Sequence, residues 1–236
     1  KNNGKFIVSF LFENPAMANK HMQKNGSFHP GNFAWGTAGA DPYGFDEATS
    51  NKKSKGTGAV FRSHDPIVDD PRKDVSLWQT NCFVATYAQR PGKRIYGEDM
   101  LKMCVYYGIP MFPERNIPFV IEYFTERGYA GFILHPKDMT THRWAKAGGA
   151  TTNDPTKDKI FTEFDNYIDN HGHREKHGEI LEAARDADYN NLQPHDLFVG
   201  AGYALIGDRS KQVSYAGLNM NKSVSQPLFE TFKKTG

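Results

Sequence analysis

Between Cys82 and Tyr107 the apolar residues of this chain change period, and that change limits what it can fold into. Cys82-Phe83-Val84-Ala85-Thr86-Tyr87 is a run of β-branched and aromatic residues that reads as a strand. From Tyr96 onward the spacing is helical, with Met100, Leu101, Cys104, Val105 and Tyr107 recurring at three- and four-residue intervals. Gly108 follows as a plausible stop. Residues 33–41 and Gly58-Ala59-Val60-Phe61-Arg62 read as strands before the change. After it come a short strand over 109–112, a helix over 119–129, a strand over Gly131-Phe132-Ile133-Leu134, and helices over 159–170, 178–188 and 196–207. Three strands followed by helix, strand, helix, strand and helices predict an α/β fold, a mixed β-sheet flanked by helices on both faces.

The segments between these elements are polar. Residues 42–57 are rich in glycine, asparagine and serine and carry Lys52, Lys53 and Lys55, the composition of a mobile loop. Residues 137–156 form a second polar loop with His142, Arg143, Lys146 and Gly148-Gly149. This divides the chain into a leading segment or linker over 1–32, a domain over 33–207 and a polar tail over 208–236. With 236 residues and 38% hydrophobic content, the chain is long enough to bury a substantial core. The formal net charge is only +2, so a nucleic-acid partner has to be met by a local basic face, not by bulk charge. Cys82 and Cys104 lie in apolar runs and read as buried thiols of a reducing compartment, without zinc-site or disulfide spacing. No apolar stretch approaches the roughly 20 residues that span a bilayer, and no secretory leader is visible. The chain opens at Lys1 without a methionine, as expected of a piece of something longer. There is no phosphate-cradling Gly-x-x-x-x-Gly-Lys-Ser/Thr run, no Gly-x-Ser-x-Gly elbow and no Cys-x-x-Cys.

Three acidic residues sit at the ends of apolar elements. Asp41 ends a small-residue strand before Pro42, which cannot continue a ladder. Glu114 follows Ile109-Pro110-Met111-Phe112-Pro113 and opens into Arg115-Asn116. Asp196 begins an apolar helix after Pro194-His195, where the helix dipole favours its ionised form. Each has a plainer reading: a turn aspartate, a solvated Glu–Arg turn and a helix N-cap. Brought together, they would offer hard anionic oxygens to divalent cations. Two such ions about 4 Å apart can clamp an in-line displacement at phosphate. Asp46 lies in the loop beside Asp41 and is a further candidate ligand. His195 is either a metal or phosphate contact or a surface histidine. His171, His173 and His177 read as part of a solvated connector.

In order and context, residues 36–207 resemble the C-terminal nuclease domain of the large terminase subunit of tailed bacteriophages, an RNase H-like domain related to RuvC-type resolvases. The resemblance is carried by Gly39-Ala40-Asp41-Pro42, the strand Gly58 to Arg62, and the helix ending Val105-Tyr106-Tyr107-Gly108. It continues through Pro113-Glu114-Arg115-Asn116, Gly149-Ala150-Thr151-Thr152 with Lys157-Asp158-Lys159-Ile160-Phe161, and His195-Asp196-Leu197 with Ala201-Gly202-Tyr203-Ala204-Leu205. Glu98-Asp99-Met100-Leu101-Lys102-Met103 and Met111 to Asn116 are similar to terminases of crAss-like gut phages.

This resemblance implies an RNase H-like arrangement of the sheet and a metal-dependent endonuclease that cuts double-stranded viral DNA during genome packaging. Asp41, Glu114 and Asp196 would hold Mg²⁺ or Mn²⁺, two ions in all. Lys52, Lys53, Lys55, Arg143, Lys146 and Lys157 would neutralise flanking phosphates. The implied partners are an ATPase domain of the same full-length chain, the portal protein and the small terminase subunit, with no membrane. The implied location is the host bacterial cytoplasm, transiently at the procapsid portal. Two positions depart from the family pattern. Leu197 stands where many terminases have a second acid, and Gly56-Thr57 where many place one before the second strand. The second ion is therefore expected to bind weakly or only with DNA. A RuvC-like structure-specific resolvase and a non-catalytic DNA-guiding or portal-docking module remain as alternatives.

Overall fold

The computed structural model describes residues 5–44, 54–70, 72–74, 78–136 and 145–220, with only the backbone for 212–220. Its main sheet has five strands in the order β1-β6-β5-β4-β7: β1 (Phe6–Val8), β6 (Cys82–Gln89), β5 (Gly56–Arg62), β4 (Gly36–Asp41) and β7 (Met111–Pro113). β4, β5 and β6 form an antiparallel meander in which Asp41 pairs with Thr57 and Gly36 with Arg62. β7 lies parallel to β4, with Ala38 opposite Met111 and Ala40 opposite Pro113. A parallel neighbour cannot be reached by a hairpin. Helix α1 (Lys93–Tyr107) supplies the crossover and ends at Gly108, whose φ of +65° lets its N–H reach the Cys104 and Val105 carbonyls.

Period-2 alternation splits the strands between two cores. Ala38, Ala40, Val60, Val84 and Tyr87 pack against Met100 and Cys104 of α1 and against Val120 and Phe124 of α2 (Phe119–Glu126). Ala59, Phe61, Phe83 and Phe112 face the other way. They meet Ile160 and Phe164 of α3 (Asp154–His171), Ile180 of α4 (Gly178–Asp186), and Phe198 and Tyr203 of α5 (Asp196–Met220). The chain is thus mixed α/β, with helices on both faces of a mixed sheet. Among the described residues no helix is long and apolar enough to cross a membrane.

Three segments differ in detail from their sequence reading. Within 1–32, β1 pairs with β6, and Phe10 and Phe12 pack on Trp35. The same segment holds a hairpin of β2 (His21–Lys24) and β3 (Ser27–Pro30). It turns through Asn25 and Gly26, both at positive φ. An Asn-Gly pair is the strongest short signal for such a turn. The strand expected at 131–134 is a 3-10 turn over Ala130–Phe132 followed by a single parallel bridge between Ile133 and Met111. Helix α5 continues past Gly207 to Met220. Gly207 does not end it, because that position is needed for contact: a side chain there would meet Phe112 and Thr37 at 2.7 Å.

Helix α5 lies against β4 almost backbone to backbone. A Cβ at Gly39 would fall 2.1 Å from the Gly200 carbonyl oxygen and 2.3 Å from the Ala204 nitrogen. One at Gly200 would fall 2.6 Å from Thr57 Oγ1. The far part of the interface is held by a buried ion pair. Lys211 Nζ lies 3.3 Å from Asp208 and donates to the Gly36 and Phe33 carbonyls, while Asp208 accepts from Ser63 and Thr37. Gly39→Ala must therefore push α5 off the sheet. We expect a destabilisation of about 3 kcal/mol, measured by urea denaturation, whereas Gly44→Ala, with open space around it, leaves the midpoint nearly unchanged.

Candidate functional site

Asp41 is the last residue of β4, and strand alternation decides where it points. Ala38 and Ala40 belong to the α1 core, so Thr37, Gly39 and Asp41 face α5. The parallel register with β7 then selects its neighbour. The Glu114 N–H donates to the Ala40 carbonyl at 2.8 Å, which extends the ladder by one residue and sets Glu114 beside Asp41 on the same face. The two carboxyl groups are in hydrogen-bond contact. Glu114 is buried and Asp41 partly so.

A second strand-like segment supports Glu114 from its other side. Ala150 bridges to Glu114, and the Arg115 N–H donates to the Ala150 carbonyl at 2.7 Å. Gly149, at φ +65°, permits this approach, since a Cβ there would lie 2.1 Å from the Pro113 oxygen. The register delivers Thr152, whose hydroxyl donates to Glu114 Oε1. Thr152 Oγ1 in turn lies 2.7 Å from the Tyr203 hydroxyl. With the threonine proton committed to Glu114, Tyr203 is the donor in that pair.

Asp196 enters from the first turn of α5. The Thr57 hydroxyl donates to its carbonyl at 2.8 Å, which fixes the helix start beside the Asp41–Thr57 rung. Its carboxylate accepts from the Lys55 N–H at 2.6 Å and from Ser54. Asp196, Gly200, Tyr203 and Gly207 recur at helical spacing, so one stripe of α5 supplies an acid, two close backbone contacts and the tyrosine. A cavity of about 340 Å³, lined by Lys5, Lys55, Thr57, Gln89, Asp196 and Leu197 among others, opens beside this helix start.

The site is electrostatically costly. Burial, then the neighbouring Glu114 charge and hydrogen bond, then Asp196, raise the Asp41 carboxyl well above the usual range. Burial also raises Asp196, against the hydrogen bonds from Lys55 and Ser54. Tyr96, whose hydroxyl donates to the Thr57 carbonyl at 2.8 Å, is pushed far up by burial and by the charge on Asp41. Tyr203 is raised by burial, with Glu114 and Asp41 adding. Asp41 thus favours its protonated form when nothing else neutralises the site.

Of the sequence-predicted residues, Asp41 and Glu114 are brought into contact, and Asp196 lies near enough to act on Asp41 through its charge while bonded to the 54–55 backbone and side chain. Among the described residues no group of three or more His, Cys, Asp or Glu side chains is set to hold a metal ion. The carboxylate pair nonetheless fits a hard divalent cation, because among the described residues no ion pair is made by either acid and a cation can take the place of the proton that Asp41 favours. Asp46, Lys52, Lys53 and Arg143 lie outside the described residues. Lys55 and Lys146 are exposed, and Lys157 pairs with Asp154 at 3.5 Å. His195 is partly buried at the helix start. The histidine connector is not solvated throughout: His177 is buried, with Nε2 2.9 Å from Ser9 Oγ and Nδ1 3.2 Å from Glu179. His171 is lowered to about 4, first by burial and then by Arg174. Nothing in the sequence marks Tyr96 as a site residue; for Tyr203 the signal is its place two turns beyond Asp196 on the same helical face. No family model and no curated protein matches this chain.

A carboxyl whose folded pKa is raised keeps its proton longer in the folded state, so folding loses stability as pH climbs from the ordinary carboxylate value through the raised one. Asp41→Asn is therefore expected to raise the melting temperature by a few degrees at pH 7 and to lose that advantage below about pH 4. Millimolar Mn²⁺ should raise the melting temperature of the wild type and not of the variant. Parallel pH dependences for the two proteins would show that Asp41 is not a strained acid.

Proposed function

We propose that this chain is a metal-dependent endonuclease domain of the RNase H-like, terminase type, which hydrolyses phosphodiester bonds of double-stranded DNA. The observation that carries this reading is the contact between Asp41, at the end of β4, and Glu114, at the end of its parallel neighbour, with the helix start of Asp196 tied to the adjacent rung. Carboxylates at the tips of adjacent parallel strands and at a facing helix start suit a site that must bind cations and leave one side open to a phosphate backbone. The β6-β5-β4-β7 order, a meander with a parallel fourth strand, supports the RNase H-like assignment.

Asp41 and Glu114 would hold the first Mg²⁺ or Mn²⁺, and Asp196 would join on release from the Lys55 N–H. When bound, such ions supply activation of the attacking water and neutralisation of charge on the scissile phosphate and leaving oxygen. The residues of the chain do the rest. Thr152 holds one Glu114 oxygen, and Tyr203 polarises Thr152, so the Glu114 carboxylate stays oriented. Tyr96 fixes the Thr57 rung beside Asp41. Lys55, Lys146 and Lys157 can meet flanking phosphates without reading sequence, and Lys52, Lys53 and Arg143 are proposed for the same role. Cleavage without sequence preference suits an enzyme directed by an assembly: an ATPase domain, a portal and a small terminase subunit, in the cytoplasm of a bacterial host. The bond that occupies the Asp196 carboxylate favours a second reading, a DNA-guiding or portal-docking module without catalysis.

Supercoiled plasmid separates the two. The expected result is nicking and linearisation with Mg²⁺ or Mn²⁺, abolished by EDTA and reduced at least about 100-fold by Asp41→Ala. Thr152→Val should lower the rate of cleavage while leaving DNA binding intact. DNA binding without cleavage under any metal would favour the docking module, and preference for branched DNA would favour a resolvase.

A further inference from the structure

Ser9, His177 and Glu179 form a chain of hydrogen bonds that the carboxylate site does not use. Ser9 follows β1 and is exposed. Its Oγ lies 2.9 Å from His177 Nε2, and His177 Nδ1 lies 3.2 Å from Glu179 Oε1. His177 is 1% exposed and stands just before α4, so its ring is enclosed between an exposed hydroxyl and a carboxylate.

Each member is held by a further group. Glu179 Oε1 also accepts from the Thr86 hydroxyl at 2.6 Å. Burial disfavours the charge on Glu179, but the hydrogen bonds from Thr86, from its own backbone N–H and from His177 outweigh it and hold the carboxyl below its usual range. The His177 N–H donates to Glu175 Oε1 at 2.7 Å, which fixes the backbone that carries the ring. The Ser9 N–H donates to the Val84 carbonyl at 3.0 Å and so continues the β1–β6 ladder by one residue.

These bonds assign the protons. A carboxylate only accepts, so neutral His177 carries its proton on Nδ1. Nε2 is then an acceptor, and the Ser9 hydroxyl is its donor. Nucleophile, base and orienting acid stand in the order of a serine hydrolase triad. β1 is an edge strand, and among the described residues the N–H of Phe10 has no acceptor. The residue after the nucleophile is a recurrent oxyanion donor in such enzymes. The cavity of about 340 Å³ beside Asp196 reaches this network, since Ile7, Thr86, Ala88 and Glu179 line it as well. Ile7 is two residues from Ser9, on the same face of the strand. A cavity of this size takes a small molecule.

We propose that Ser9, His177 and Glu179 form a second catalytic site, an acyl-transfer centre that hydrolyses small carboxylic esters. Ser9 Oγ attacks the ester carbonyl while His177 Nε2 takes its proton, and the tetrahedral oxyanion meets the Phe10 N–H. The bond to the alcohol oxygen then breaks, and the alcohol leaves with the proton from Nε2. Water attacks the acyl-Ser9 ester and gives a proton to Nε2. The carboxylic acid departs as Ser9 recovers that proton. Glu179 keeps Nδ1–H in place and stabilises the imidazolium that forms. These steps need no cation, so the site stands or falls separately from Asp41 and Glu114.

The test uses the full chain in EDTA, which silences metal-dependent cleavage. The probes are an alkyl fluorophosphonate and p-nitrophenyl acetate. The fluorophosphonate should phosphonylate Ser9 in preference to the other serines, with loss of fluoride, as located by peptide mass. p-Nitrophenyl acetate should be turned over, and Ser9→Ala should abolish that turnover. His177→Gln should slow labelling at least about 100-fold. Glu179→Gln, which imposes the wrong tautomer, should slow it by at least about 100-fold as well. Ser9 left unlabelled in the wild type, or p-nitrophenolate release that Ser9→Ala leaves unchanged, overturns the proposal. Both readings need only the wild type and one exposed substitution, so they hold even where His177→Gln fails to fold.

Discussion

The near-contact of α5 with β4 is the constraint from which the rest of this structure follows. Gly39 has no side chain, so the Gly200 carbonyl and the Ala204 nitrogen come within the space a Cβ would fill. That closeness brings the first turn of α5 down to the sheet at Thr57 and puts Asp196 in the neighbourhood of Asp41. It also seats Gly207 on Phe112 and Thr37, and leads Asp208 and Lys211 into a buried pair at the far end. Any larger residue at the crossing would lift the helix and separate the acids.

A second constraint acts along the sheet. Asp41 and Glu114 share a face because β4 and β7 are parallel and in register; a shift of one residue would turn Glu114 to the opposite face. Register is in turn stabilised on both flanks, by Thr57 of β5 and by the Ala150 bridge. The result is a pair of carboxyls held closer than their charges favour. Such strain is kept only where surrounding packing over-determines it, and here two cores do so.

Much of the architecture was legible because it depends on local periodicity. The change of period after Cys82–Tyr87 marked β6 and α1, and Gly108 marked the end of α1. The acids at Asp41 and Glu114 were legible as carboxylates closing apolar strands. The Asn25-Gly26 hairpin was equally legible and lay inside a segment read as a linker. Residues 131–134 were misread because four apolar residues suit a strand and a buried 3-10 turn alike. The apolar stretch that begins at Asp196 runs to Gly207 in the sequence, yet the helix continues through that glycine, which permits close contact with Phe112 and Thr37. The solvated histidine connector failed at His177 for a related reason: its partners, Ser9 and Glu179, come from different parts of the chain.

The sequence by itself determined the strands β4, β5, β6 and β7 and the helices that flank them, and that three acids stand at the ends of three of these elements, since period and punctuation are properties of neighbouring residues. Only the tertiary structure decided that Asp41 and Glu114 touch, that Thr152 and Tyr203 hold the latter in line, and that Asp196 is bonded to the backbone of Lys55. Those outcomes depend on the parallel register of β7 and on the depth at which α5 settles. Both are set by contacts between residues far apart in the chain, where a displacement of one residue or about one Cβ radius changes which groups meet.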